Sequence, residues 1–147
     1  MTASEKEDQF RRLVVELRLM QGSAEVLQQR LELLRTALTD LQVADSSLKA
    51  LKDIEDGTPI LVPTGGGTFV DARLGDLSKV IVGIGAGASL EMGLEDALDD
   101  VSSRLSEVEK AAQSVQQQLE QILGQMQIHQ DGINRLSAEL RGEAAGV

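Results

Sequence analysis

Residues 57–92 read GTPILVPTGGGTFVDARLGDLSKVIVGIGAGASLEM. This stretch holds both prolines, most of the glycine and the only strand signals of the chain, and a long helical pattern flanks it on each side. Asp56-Gly57 and Thr58-Pro59 break the preceding helix. Ile60-Leu61-Val62-Pro63 is a short apolar run framed by prolines; proline has no N–H to give to a ladder, so the strand is an edge or very short. Gly65-Gly66-Gly67 makes a turn. Thr68 to Leu74 then alternates, with Val70, Ala72 and Leu74 on one face and Asp71 and Arg73 on the other. After Gly75-Asp76, Val80, Val82 and Ile84 share a face, Gly83, Gly85 and Gly87 punctuate, and Ala88 to Met92 forms a fourth, weaker strand. The stretch reads as two β-hairpins. Four short strands with so little apolar side chain make a poor independent sheet with open edges. Pairing with copies or relatives of the same segment solves both problems. The expected assembly surface is Val62, Phe69, Val70, Leu74, Val80, Val82, Ile84 and Leu90.

Before this segment, apolar residues fall at alternating spacings of three and four. With Phe10 as heptad position a, Leu17, Ala24, Leu31 and Leu38 continue a, and Leu13, Met20, Leu27, Leu34, Leu41 and Leu48 take d. Asp45 alone interrupts. Such a sustained 3.5-residue period predicts a coiled-coil helix over about residues 5–53, with Ser4 and Glu7 as its capping box. After the segment, the seam recurs from Leu94 to Leu140 and is broken only by His129, at a d site. Glu95, Asp96, Asp99 and Asp100 crowd the start of this second helix, where its dipole favours them. It is expected over about 93–141, with 142–147 as a tail.

The seams rise ~65 Å and ~70 Å. Arms of matched length on one connector predict an antiparallel hairpin, in a register near i + j = 146. Ala24 then faces Ile122, Leu34 faces Ala112, Phe10 faces Leu136 and Leu17 faces His129. A parallel dimer is disfavoured, because the e and g sites at Gln21, Gln28, Ala37, Gln42, Ala111, Gln116, Gln118 and Gln125 carry little charge code. The fold class is α+β, mainly α: one subunit over residues 1–147, with hairpins between two coiled-coil arms.

Composition narrows the function. With two Phe, no Trp and no Tyr, the interior suits thin helix seams rather than a large globular core. A net charge of −10 argues against nucleic acid or an anionic membrane as partner. No apolar run is long enough to span a bilayer, and the polar start, Met1 to Asp8, is unlike a signal sequence, so the cytoplasm is expected. Without cysteine there is neither a disulfide framework nor a thiolate metal site. No catalytic constellation is recognisable; His129 reads as a seam residue, and neither cofactor nor metal is expected. Gly83-Ile84-Gly85-Ala86-Gly87-Ala88 after a strand mimics a dinucleotide fingerprint, but no strand follows residue 92 to complete a parallel sheet. Gly65-Gly66-Gly67 lacks the lysine of a phosphate loop.

Apolar residues also spill off the seam at Val14, Val15, Leu19, Val26, Leu33 and Ile128. Leu19, Val26 and Leu33 share heptad position c, which a two-helix hairpin cannot bury. A sticky partner, a third helix or a neighbouring subunit could each cover them. Gly22, Gly124 and Gly132 each cost ~1 kcal/mol against alanine within a helix and loosen the arms.

The sequence resembles the alpha-class subunits of prefoldin, of the archaeal type. The match is carried by Ile60-Leu61-Val62-Pro63, Gly65-Gly66-Gly67, Thr68-Phe69-Val70, the run Ser78 to Gly87, and Leu94-Glu95-Asp96-Ala97. The resemblance implies an ATP-independent co-chaperone in a hexamer of two alpha and four beta subunits, whose hairpins form a double β-barrel platform. It also implies that coiled-coil tips capture unfolded proteins and pass them to a group II chaperonin. Apolar exposure and arm position then pick out Phe10, Leu13, Val14, Leu17, Leu19 and Met20, with Ile128, Ile133, Leu136 and Leu140, as the client-binding tips. The alternative is a coiled-coil scaffold subunit that assembles without holding clients.

Overall fold

A computed structural model describes residues 1–146. In chain order it contains helix α1 (Ala3–Leu51), strands β1 (Pro59–Gly65), β2 (Thr68–Arg73), β3 (Val80–Gly85) and β4 (Ala88–Met92), and helix α2 (Leu94–Ala145). Two long helices with a pair of hairpins between them are the architecture expected from the sequence. The chain divides into two compact units: Met1–Arg35 with the chain from Lys110 onward, and Thr36–Glu109.

In the first unit, α1 and α2 run antiparallel. Lys6 of α1 pairs with Glu139 and Glu143, Glu16 with His129, and Arg35 donates to Gln116 at 3.2 Å. These partners lie close to the register i + j = 146. Ala24, Leu31, Val115 and Leu119 are buried together, with Leu27, Leu34, Ala112, Ile122 and Met126 packed around them. Burying a leucine side chain is worth roughly 1.5–3 kcal/mol. A seam this thin therefore depends on a few residues.

The start of α1 corrects one expectation. The capping box is Thr2 with Glu5, not Ser4 with Glu7: the Thr2 hydroxyl accepts from the Glu5 N–H at 3.2 Å, and the Thr2 N–H donates to Glu5 Oε2 at 2.8 Å. Both tetrads fit the motif; Ala3, the best helix former, lets the helix begin at the earlier one.

In the second unit, α1 ends in a tightened turn, where the Lys52 N–H reaches the Lys49 carbonyl and the Ile54 N–H that of Leu51. Gly57 follows with a positive φ. Among the described residues β1 pairs with β2 alone and β3 with β4 alone, giving two separate antiparallel sheets of two strands. The base of the first hairpin is closed by the Gly57 N–H on the Leu74 carbonyl and the Leu74 N–H on the Thr58 carbonyl. The link between hairpins is held by Asp56, whose Oδ1 accepts from the Leu77 N–H at 2.9 Å. α2 opens with the Ala97 N–H on the Gly93 carbonyl, and Ala97, Leu98 and Val101 are buried.

The two hairpins are copies of one design. Gly65-Gly66-Gly67 have φ of 102°, 56° and 78°, and Gly85-Ala86-Gly87 have 102°, 53° and 75°. The register shifts at matching places, between Pro63 and Gly65 and between Gly83 and Gly85. Aligning the turns superposes Ile60 on Val80, Val62 on Val82, Val70 on Leu90 and Asp71 on Glu91. The glycines that mimicked a dinucleotide fingerprint are thus a hairpin turn: β3 runs into β4, with no helix N-terminus to receive a pyrophosphate.

Candidate functional site

Two surfaces carry the chemistry that the sequence singles out. The first lies on the hairpins. Val62 stands opposite Val70, and Val82 opposite Leu90, so each pair shares a face of its sheet. Val62, Val70, Phe69, Ile84 and Leu90 are exposed, whereas Leu74, Val80 and Val82 are half-buried. Phe69 opposes Pro63 on the other face of the first hairpin, and Ile84 falls in the bulge, opposite no residue. Sequence reading passed over Leu61 and Ile81, which are 63% and 74% exposed. They occupy equivalent places in the two hairpins, on the face read as polar from Asp71 and Arg73. The internal repeat was the signal that could have found them.

Among the described residues each two-stranded sheet has no strand partner at its outer edges, and two-stranded sheets are marginal alone. The second hairpin is tied to α2 by Arg104, whose Nη1 donates to the Gly83 carbonyl at 3.0 Å. Its Nε lies 2.9 Å from Asp100 Oδ2 in an ion pair rather than an aligned hydrogen bond. Lys52 of α1 and Glu95 of α2 pair at 3.2 Å.

The second surface lies in the first unit. Leu19, Leu33 and Ile128 are 68%, 73% and 71% exposed, and Val15 and Val26 are also open to solvent. Leu19, Val26, Leu33 and Ile128 all occupy heptad position c. In an antiparallel pair, the two c rows flank the same side of the seam. Gly22, with no side chain, leaves a shallow groove lined by Leu19, Val26, Leu27 and Arg30.

The other expected tip residues lie deeper. Phe10, Leu13, Val14, Leu17, Met20, Ile133 and Leu140 are half-buried, and Leu136 is buried at 3% exposure. Their a and d sites give most of them to the seam, whereas position c leaves Leu19 and Ile128 on the surface. Leu13 packs close to α2: a Cβ built on Gly132 would meet Leu13 Cδ1 at 3.2 Å. Lys6 sits between Glu143 and Glu139, and the hydrogen bond to Glu143, aided by both charges, raises its proton affinity above that of an ordinary lysine. Among the described residues no group of His, Cys, Asp and Glu is arranged to hold a metal ion, and no helix is long and apolar enough to cross a membrane.

Antiparallel helices that carry a pair of edge-open β-hairpins between them define a class of protein: the coiled-coil hairpin with a β-linker. Residues 20–139 match the family model described as prefoldin subunit, and the chain belongs to the prefoldin family. It is 37% identical over 105 residues to prefoldin subunit alpha of Thermococcus onnurineus, covering 71% of each chain. The alpha subunit of Methanopyrus kandleri is 32% identical over 115 residues, covering 78% of this chain and 73% of that one. Pyrococcus horikoshii has an alpha subunit 34% identical over 109 residues, 74% of each. In fold, the chain is similar to a filamentous PFD from Methanocaldococcus jannaschii, solved by cryo-electron microscopy. The TM-score is 0.64 at 23% identity, over 75% of this chain and 91% of that one.

Proposed function

We propose that this chain is the alpha-class subunit of an ATP-independent co-chaperone of the cytoplasm, and not an enzyme. Its hairpins build a β-barrel platform with beta-class subunits, in a hexamer of two alpha and four beta chains. Its helices hold unfolded proteins by apolar side chains near their termini and hand them to a group II chaperonin. The names of its relatives support the class. The observation that carries client capture is the row of large apolar side chains, Leu19, Val26, Leu33 and Ile128, left open at a position the two-helix seam cannot cover. Several weak apolar contacts on several arms add up through effective concentration rather than through one deep pocket.

The test replaces Leu19 and Ile128 together by serine. Each anchor is worth ~1 kcal/mol, so an arm should hold a denatured client roughly 30-fold more weakly, with loss of aggregation suppression. Deleting residues 1–20 and 134–147, which removes Leu19 and most of the expected tip residues, should abolish suppression while the hexamer, lighter by the deleted residues, stays intact. Unchanged suppression in both variants overturns client capture and leaves the scaffold reading.

A further inference from the structure

The outer edges of the two hairpins are not chemically equal. In an antiparallel pair, opposed residues alternate: one pair exchanges both backbone hydrogen bonds, and the next turns its N–H and carbonyl groups outward. In the first hairpin the Leu74 N–H donates to the Thr58 carbonyl at 3.0 Å, which fixes the alternation. Ile60 with Ala72 and Val62 with Val70 are then bonded pairs. Pro59, Leu61 and Pro63 of β1 face outward, as do Phe69, Asp71 and Arg73 of β2. Both prolines fall at outward positions, where the hairpin needs no N–H from them. Between Pro59 and Pro63, the outer edge of β1 offers a single donor, Leu61.

In the second hairpin Gly83 takes the place of Pro63, so Ile81 and Gly83 face outward on β3, and Ser89 and Glu91 on β4. The Gly83 carbonyl bears this out: it turns away from β4 and accepts from Arg104 Nη1 at 3.0 Å, while Arg104 Nε pairs with Asp100 at 2.9 Å. An arginine of α2 therefore covers the edge of β3, as prolines deplete the edge of β1. Among the described residues no hydrogen bond reaches the outward backbone groups of Phe69, Asp71, Ser89 or Glu91.

Charge selects what can sit there. Residues 36–109 hold 14 of the 24 acidic residues and 5 of the 14 basic ones, so nearly all of the net charge of −10 lies in this unit. Asp71 and Glu91 occupy matching outward positions on the two open edges. Arg73, two residues from Asp71, turns back to the Gly57 carbonyl at 3.3 Å. Like charges opposed across strands weaken pairing, so a second copy is a poor occupant and a strand with lysine or arginine a good one.

We propose that this chain takes partner strands on β2 and β4 and none on β1 and β3, and that each incoming strand, from a beta-class subunit, sets a basic side chain against Asp71 or Glu91. On the platform reading above, on which this rests, backbone ladders join subunits at β2 and β4, and contacts elsewhere are made by side chains.

The test is amide hydrogen exchange, read residue by residue by NMR, on the full chain alone and mixed with a prefoldin beta subunit. In the mixture the amides of Phe69, Asp71, Ser89 and Glu91 should slow by roughly ten-fold or more, the factor one backbone hydrogen bond is worth, while Leu61, Ile81 and Gly83 keep their free-chain rates. Equal slowing at Leu61 and Ile81 overturns the edge assignment and leaves the platform standing; absence of any complex overturns both. Slowing in the chain alone that grows with its concentration puts a second copy on the edge and overturns the choice of partner. Asp71→Pro/Ser89→Pro removes two outward donors and no bond within a hairpin, so the complex should be lost while the inward amides of Val70 and Leu90 stay protected. Gly83→Pro, which repeats Pro63, should keep the complex. The opposite result in this pair of variants overturns the proposal. Asp71→Lys/Glu91→Lys should weaken the complex about ten-fold, and unchanged binding overturns the pairing with basic side chains.

Discussion

Ala86 holds a φ of 53° between two glycines, a left-handed conformation that an L side chain adopts at a cost of roughly 1 kcal/mol. Its counterpart Gly66 sits at 56° without a Cβ. Ala86→Gly should therefore stabilise the second hairpin by somewhat under 1 kcal/mol, after the added freedom of the unfolded glycine is subtracted, seen as slower amide exchange in β3 and β4. The helix glycines divide in the same manner. A Cβ at Gly22 or Gly124 meets nothing within 4 Å, so alanine there should raise stability by up to ~1 kcal/mol in thermal unfolding. Gly132→Ala should gain less than either, because its Cβ presses Leu13 at 3.2 Å. The two polar residues at seam positions are each satisfied: Asp45 receives Lys49 Nζ at 2.7 Å, and His129 meets Glu16. Heptad spacing located both exceptions, but their partners were not legible. Lys49 is an ordinary i+4 neighbour, and Glu16 comes from the other helix.

At the scale of elements, the seam ranks leucines by position rather than by kind. Leu31 is 5% exposed and Leu33 is 73% exposed on the same turn of α1. Leu31→Ala should cost about 2–3 kcal/mol in chemical denaturation, and Leu33→Ala under about 0.5. The link between hairpins depends on acid. Ser78 donates its hydroxyl at 2.6 Å and its N–H at 3.0 Å to Asp76 Oδ1, which holds that carboxyl below the usual aspartate range. A lowered carboxyl stabilises the folded link above the ordinary value of about 3.9, and the benefit is lost as pH falls through the lowered one. An NMR titration should show Asp76 ionising below about 3.9 and moving part of the way back in Ser78→Ala, which loses the hydroxyl bond and keeps the N–H bond. Both helices, both hairpins and their turns were legible, because 3.5-residue and two-residue periods and glycine punctuation are local signals. The capping box was misplaced by two residues, since two tetrads satisfy one motif. The face carrying Leu61 and Ile81 was missed, since alternation beside Asp71 and Arg73 suggested a wet surface. Of the expected tip residues, heptad position does separate Leu136, a d residue packed in the seam, from Leu19 and Ile128, c residues left outside it; grouping them by place along the arm hid the difference.

For the whole molecule, the hairpins pose the question that an assembly answers. Two sheets of two strands, with Val62, Phe69, Val70, Ile81 and Leu90 open to solvent, are a poor end state for a lone chain and a good template for neighbours. The repeat gives one chain two near-equivalent open edges, as the proposed platform subunit requires. Val70 and Leu90, equivalent residues of the two hairpins, are exposed in the single chain, so replacing both by serine should leave the subunit folded. The most direct measurement is the light-scattering mass of the chain mixed with a prefoldin beta subunit, for the wild type and for Val70→Ser/Leu90→Ser. The account predicts a hexameric mass for the wild type and its loss in the variant. A wild-type chain that stays at its own 15.8 kDa, or a variant that keeps the hexameric mass, contradicts it.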